Sequence, residues 1–141
     1  MRSNKRLARV IAVLVVSAGL VACGGSKTEL QLVVQENYQV LQRFTISQLQ
    51  QLPQLEVATP QSDGAQVQKG PSVRSILDAA GATGVIRVRV EGRDPAQTLT
   101  AAQLDDQTIL GFTKRNTLKL TGEKLGRDQW VRDVTHLVVN P

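Results

Sequence analysis

The chain has 141 residues with 17 basic and 12 acidic side chains, a formal net charge of +5, and only one cysteine, one histidine, one Trp, one Tyr and two Phe. One cysteine and one histidine exclude an internal disulfide and a zinc, copper or iron site of the usual kind. The positive excess sits in residues 1–22, which hold four basic side chains and no acidic one; the remaining 13 basic against 12 acidic residues form no basic stripe with interleaved aromatics, so nucleic acid is not an expected partner.

Arg2, Lys5, Arg6 and Arg9 open the chain, and Val10 to Ala22 follows as thirteen residues without a charge. That run falls short of the ~20 apolar residues a membrane-spanning helix needs, and matches the apolar region of an export signal. Leu20-Val21-Ala22-Cys23 closes it. The small residue before the lone cysteine resembles the lipobox of bacterial lipoproteins. The resemblance implies a signal peptide over 1–22, a lipid on the Cys23 thiol, and a chain held on the extracytoplasmic side of the cell membrane or outer membrane. Residues 23–27, with Gly24-Gly25-Ser26-Lys27, read as a short lipidated tether. Residues 28–141 are then long enough for one domain with one hydrophobic core.

Within that domain Leu30, Leu32 and Val34 alternate with Gln31 and Val33, a strand pattern. Thr45-Ile46-Ser47-Gln48 is a capping box that predicts a short helix with Ile46, Leu49 and Leu52 on one face, ended by Pro53. Leu55 to Val57 and Ala65 to Val67 are short strand candidates. Ser72, behind Pro71, caps a second helix carrying Val73, Ile76, Leu77 and Ala80 at helical spacing, and Gly81 supplies its stop. Ile86, Val88 and Val90 alternate with Arg87, Arg89 and Glu91, a strand with one wet face, and Gly92-Arg93-Asp94-Pro95 is a turn. Thr100-Ala101-Ala102-Gln103 is another capping box and predicts a third short helix leading into Leu104. Leu118 and Leu120 flank Lys119 after the turn Lys114-Arg115-Asn116. Val131 to Val139 is a longer β-branched run, apolar on both faces at its end, which predicts a central strand or a bulge. The expected class is mixed α+β, a mostly β sheet or barrel-like core with about three short helices.

Reactive groups are few. His136 lies among Val134, Leu137 and Val138 and reads as a structural residue. No serine sits in a Gly-flanked elbow, and Asp105-Asp106 reads as a helix end. Gly81-Ala82-Thr83-Gly84 lacks the lysine of a phosphate loop. No catalytic, metal or cofactor-binding residue is therefore assigned. One anion site is open to consideration: Arg87, Arg89 and Arg93 share the wet side of one strand and its turn. Nearby Glu91 and Asp94 favour a plain solvated sheet face there.

Phe44-Thr45-Ile46, Leu49, Leu52-Pro53, then Gly70, Val73, Ile76-Leu77 and Ala80-Gly81, resemble the start of the molybdopterin-binding domain of the sulfite oxidase family. Val88 to Gly92, the Leu104 segment, Ile109-Leu110 and Trp130 to Val139 continue the likeness over most of residues 38–139. The resemblance implies that fold in a reduced form. Where active members supply a thiolate to molybdenum, this chain has Leu55-Glu56-Val57-Ala58-Thr59-Pro60, with no cysteine, so no cofactor is expected. The expected function is a membrane-anchored, non-catalytic binding or scaffolding module with a protein partner at the cell envelope. The alternatives are a molybdopterin-dependent oxidoreductase or a subunit of one, and a β-grasp-like module for a small ligand.

Overall fold

A computed structural model describes residues 30–141; the expected signal peptide, Cys23 and its tether lie outside the described residues. The first two strands, β1 (Gln31–Glu36) and β2 (Gln39–Thr45), form an antiparallel hairpin. Its two-residue turn places Asn37 and Tyr38 at φ 54° and 64°, the double left-handed turn whose twist matches that of the flanking strands. β2 carries no clean alternation, so its residues give no strand signal in the sequence.

β2 runs directly into α1 (Ile46–Gln50). The capping box is formed: the Gln48 amide N–H donates to the Thr45 hydroxyl at 3.2 Å, and the Thr45 amide N–H donates to Gln48 Oε1 at 2.9 Å. β3 (Leu55–Ala58) and β4 (Val67–Gly70) make a second hairpin. In α2 (Val73–Ala79) the Ser72 hydroxyl accepts from the Ser75 amide at 3.0 Å, and Gly81 at φ 80° turns the chain away, as the sequence predicts. There follow β5 (Arg87–Glu91), β6 (Gln97–Thr100), β7 (Thr108–Phe112), β8 (Leu118–Gly122) and β9 (His136–Val139).

The third expected helix is a single 3₁₀ turn, Ala101–Gln103. Its cap forms, with the Thr100 amide donating to Gln103 Oε1 at 2.9 Å, but the chain leaves the helical region at Leu104, which is 2% exposed. Burying Leu104 takes precedence over a second turn, and Asp105 begins the descent into β7 by accepting from the Gln107 amide. The last β-branched run is also divided. Val131 bridges Leu120 in β8, Asp133 takes φ 51°, and only from His136 does the chain enter a ladder.

β9 is the middle of a five-stranded sheet of order β2-β1-β9-β5-β6, parallel to β1 and antiparallel to β5. That position explains the apolar character of both its faces. Leu137 and Val139 enter the main core, while Val138 is closed in on the other face between neighbouring strands. The core joins Leu32, Val34, Val88, Val90 and Leu99 of the sheet to Leu49 of α1, Ile76 and Leu77 of α2, and Leu110, Leu118 and Leu120 of the β7–β8 hairpin. Ile86 departs from its expected place. It precedes β5 and is 70% exposed.

The barrel-like, sulfite oxidase-like core expected from the sequence is not what the chain forms. The described residues form three separate sheets, of five, two and two strands, and none of these closes on itself. The reason lies at the two edges of the large sheet. β2 ends at Thr45 and β6 at Thr100, and each of those residues caps a helical turn that takes the chain out of the sheet before the edges could meet. The two hairpins meet through the Leu110 N–H to Pro71 carbonyl bond at 3.0 Å and the isolated Ser72–Ile109 bridge. Proline has no N–H, so the ladder is not extended across it.

Candidate functional site

The three arginines singled out in the sequence are distributed rather than gathered. Arg87 and Arg89 share the outer face of β5, and Arg89 Nε donates to Glu91 Oε2 at 2.7 Å. Arg93, in the turn that follows β5, faces Asp133 at 3.9 Å instead. Glu91 is opposite His136 across the β5–β9 ladder, and His136 Nδ1 lies 2.9 Å from the Thr135 hydroxyl. Among the described residues no three His, Cys, Asp or Glu side chains gather as a metal ion requires. The β3 stretch where the sulfite oxidase family carries its thiolate buries Val57 and, just beyond it, Thr59, neither of them a soft ligand. With no closed barrel and no such cluster, the molybdopterin-binding character suggested by the resemblance is not carried by this fold.

A different group of side chains comes together around Trp130. The antiparallel bridge between Leu120 and Val131 lays Trp130 alongside β8, where Lys119 points to the same side. Lys119 Nζ stands 4.8 Å from the centre of the indole ring, within cation–π range. The indole N–H donates to the Leu125 carbonyl at 3.2 Å, which fixes the plane of the ring. A 3₁₀ turn, Arg127–Gln129, brings Arg127 beside Trp130, and its guanidinium pairs with the exposed Asp63 at 2.7 Å. On the far flank Arg132 grips Asp94 with its amide N–H at 2.8 Å, Nε at 3.0 Å and Nη2 at 2.8 Å.

Two open depressions meet at Trp130 and Arg127. One, of about 550 Å³, is bordered by Asp94, Gln97, Asp128 and Arg132; the other, of about 340 Å³, by Ser62, Lys114 and Lys119. The electrostatics are uneven. Lys119 is held below the usual lysine range, first by burial of its ammonium and then by the nearby Arg127 and Arg132 charges. Among the described residues no carboxylate pairs with it. Arg127 and Arg132 each have an acidic partner, whereas Lys119 forms no ion pair among the described residues.

Asp94 shows the opposite situation. The Arg132 side-chain and amide hydrogen bonds pull its carboxyl from 3.8 to about 2. The charged form is thus favoured in the folded chain, so this clamp contributes stability that is complete above the unfolded value and is lost as pH falls through about 2. Stability of the native chain should decline between about pH 4 and pH 2 more steeply than that of Asp94→Asn, as read from urea midpoints. Parallel curves for the two proteins would show that the clamp is not formed.

Sequence reasoning missed this site because its parts are brought together by pairing, not spacing. Trp130 between Arg127 and Arg132 was visible as the only tryptophan beside two cations. Lys119 lies eleven positions earlier and joins them only through the Leu120–Val131 bridge. No protein-family model matches this chain, and a search of curated proteins finds no similar one.

Proposed function

We propose that this chain is a lipid-anchored, extracytoplasmic binding or scaffolding module that holds an anionic group in the depression beside Trp130. The observation that carries the binding part is Lys119, an ammonium partly withdrawn from water over an indole face, close to two guanidinium groups and without a carboxylate of its own among the described residues. Withdrawing a cation from water costs free energy, and an anion entering the depression offsets that cost. Cations beside an aromatic face suit the holding of an anionic group, and recognition is the role proposed here. The anchoring part is supported by Leu20-Val21-Ala22-Cys23 at the end of the apolar run.

The anchor is tested first. Cys23→Ala should leave an unprocessed or soluble product, because one thiol carries the acyl chains that hold the protein to the bilayer. Recovery of that variant as a processed, tightly membrane-bound protein would sink the reading. Occupation of the depression should change Trp130 emission when inorganic phosphate is added, and the response should shrink with salt and in Lys119→Gln.

A further inference from the structure

The cationic depression lies at the end of the large sheet from which the preceding chain departs. β1 begins there at Gln31, and the Val33 amide donates to the Thr135 carbonyl at 2.9 Å. The Thr135 amide in turn donates to the Glu91 carbonyl at 2.9 Å, and the Arg93 amide to the Arg132 carbonyl at 2.8 Å. The β7–β8 turn joins the same end, since the Val134 amide donates to the Leu118 carbonyl and Arg115 pairs with Asp133 at 3.4 Å. Arg93, Lys114, Arg115, Lys119, Arg127 and Arg132 therefore collect here, against Asp63, Asp94, Asp128 and Asp133. The exposed apolar residues Tyr38 and Ile86 lie at the opposite end, beside Asn140, which accepts from the Ile86 amide. The seven residues from Gly24 to Leu30 span at most about 25 Å when extended, so the sheet end at Gln31 cannot stray far from Cys23.

We propose that this end of the sheet is a membrane-docking face, in which Lys119, Arg127 and Trp130 engage the phosphate groups of anionic lipids in the bilayer that carries Cys23. The proposal rests on the lipid-anchor reading above and names the source of the anion. Charge complementarity favours a surface of anionic headgroups, and tryptophan is the side chain best suited to the boundary between headgroups and acyl chains. The tether supplies a high effective concentration, so individually weak contacts are enough to fix the orientation. Docked in this way, the domain turns its Tyr38–Ile86 end away from the bilayer.

Trp130 is the only tryptophan of the chain, so its emission reports the contact directly. The full, lipid-bearing protein is reconstituted in vesicles of phosphatidylcholine alone, or with one third phosphatidylglycerol, each with and without brominated acyl chains. The expected result is a blue shift and bromine quenching in the anionic vesicles, at least twofold weaker in neutral vesicles, reversed by high salt, and lost in the Lys119→Gln/Arg127→Gln double variant. Equal emission and quenching in both vesicles would overturn the proposal without recourse to any variant. So would a full blue shift produced by inorganic phosphate in neutral vesicles without bromine quenching, which would assign the site to a soluble anion. Mass spectrometry of the N-terminal peptide reads the anchor separately. An unmodified Cys23 would defeat the anchored reading itself, whereas an acylated Cys23 with an indifferent Trp130 would defeat the docking face alone.

Discussion

Replacing Gly70 by alanine is expected to be among the most damaging single changes in the domain. Gly70 ends β4 where that strand crosses close to β7, and a Cβ there would overlap the Leu110 carbonyl oxygen while standing 2.8 Å from Leu110 C and 2.9 Å from Gly111 Cα. Those are backbone atoms, so no side chain can swing aside. The two hairpins would have to separate, breaking the Leu110–Pro71 hydrogen bond that joins them. A loss of about 3 kcal/mol or more is expected, at the upper end of overpacking effects. Urea unfolding followed by Trp130 emission measures it. A change within about 0.5 kcal/mol would mean that the hairpins do not approach as closely as described.

Leu77→Ala is expected to cost ~2–5 kcal/mol. Leu77 is 2% exposed on α2, beside Ile76 and Val73, which are fully buried, and the helix presents this face to the sheet core. Removing its side chain leaves a cavity that a seven-residue helix, pinned at Ser72 and Gly81, has little freedom to fill. The same urea measurement applies. A loss of only a few tenths would place α2 outside the core.

The contrast between these positions shows where the sequence was legible. α1 and α2 announced themselves because Thr45, Gln48, Ser72 and Gly81 act within one turn of chain, and local chemistry is written locally. β5 was readable from Val88 and Val90, which alternate cleanly with polar neighbours. β2 and β6 were not, because they are edge strands whose patterns need not bury a full face. The broken course of Val131 to Val139 depends on Asp133 taking a left-handed conformation between two pairings, and a run of β-branched residues gives no warning of that. The open architecture was hidden for the same reason. Capping boxes at Thr45 and Thr100 were recognised as helix starts, yet their consequence for the sheet edges follows only once the strand order is known. The Trp130 site likewise depends on a bridge between residues distant in sequence, while Arg87, Arg89 and Arg93, neighbours in sequence, are divided between Glu91 and Asp133.

The central position of β9 has a consequence for how the chain is made. β1 and β9 are parallel neighbours whose paired residues, Val33 with His136 and Glu36 with Val139, are roughly a hundred positions apart in sequence. Neither the β1–β2 hairpin nor the β5–β6 hairpin can join the other until β9 exists to lie between them. Closing so long a loop is slow, and the reward comes only when the middle strand is seated. In a chain emerging from the ribosome the five-stranded sheet therefore stays unassembled until synthesis has passed Val139, whatever hairpins form before it. On the export proposed above, that delay keeps the chain threadable, because the large sheet stays open for as long as β9 has not been seated.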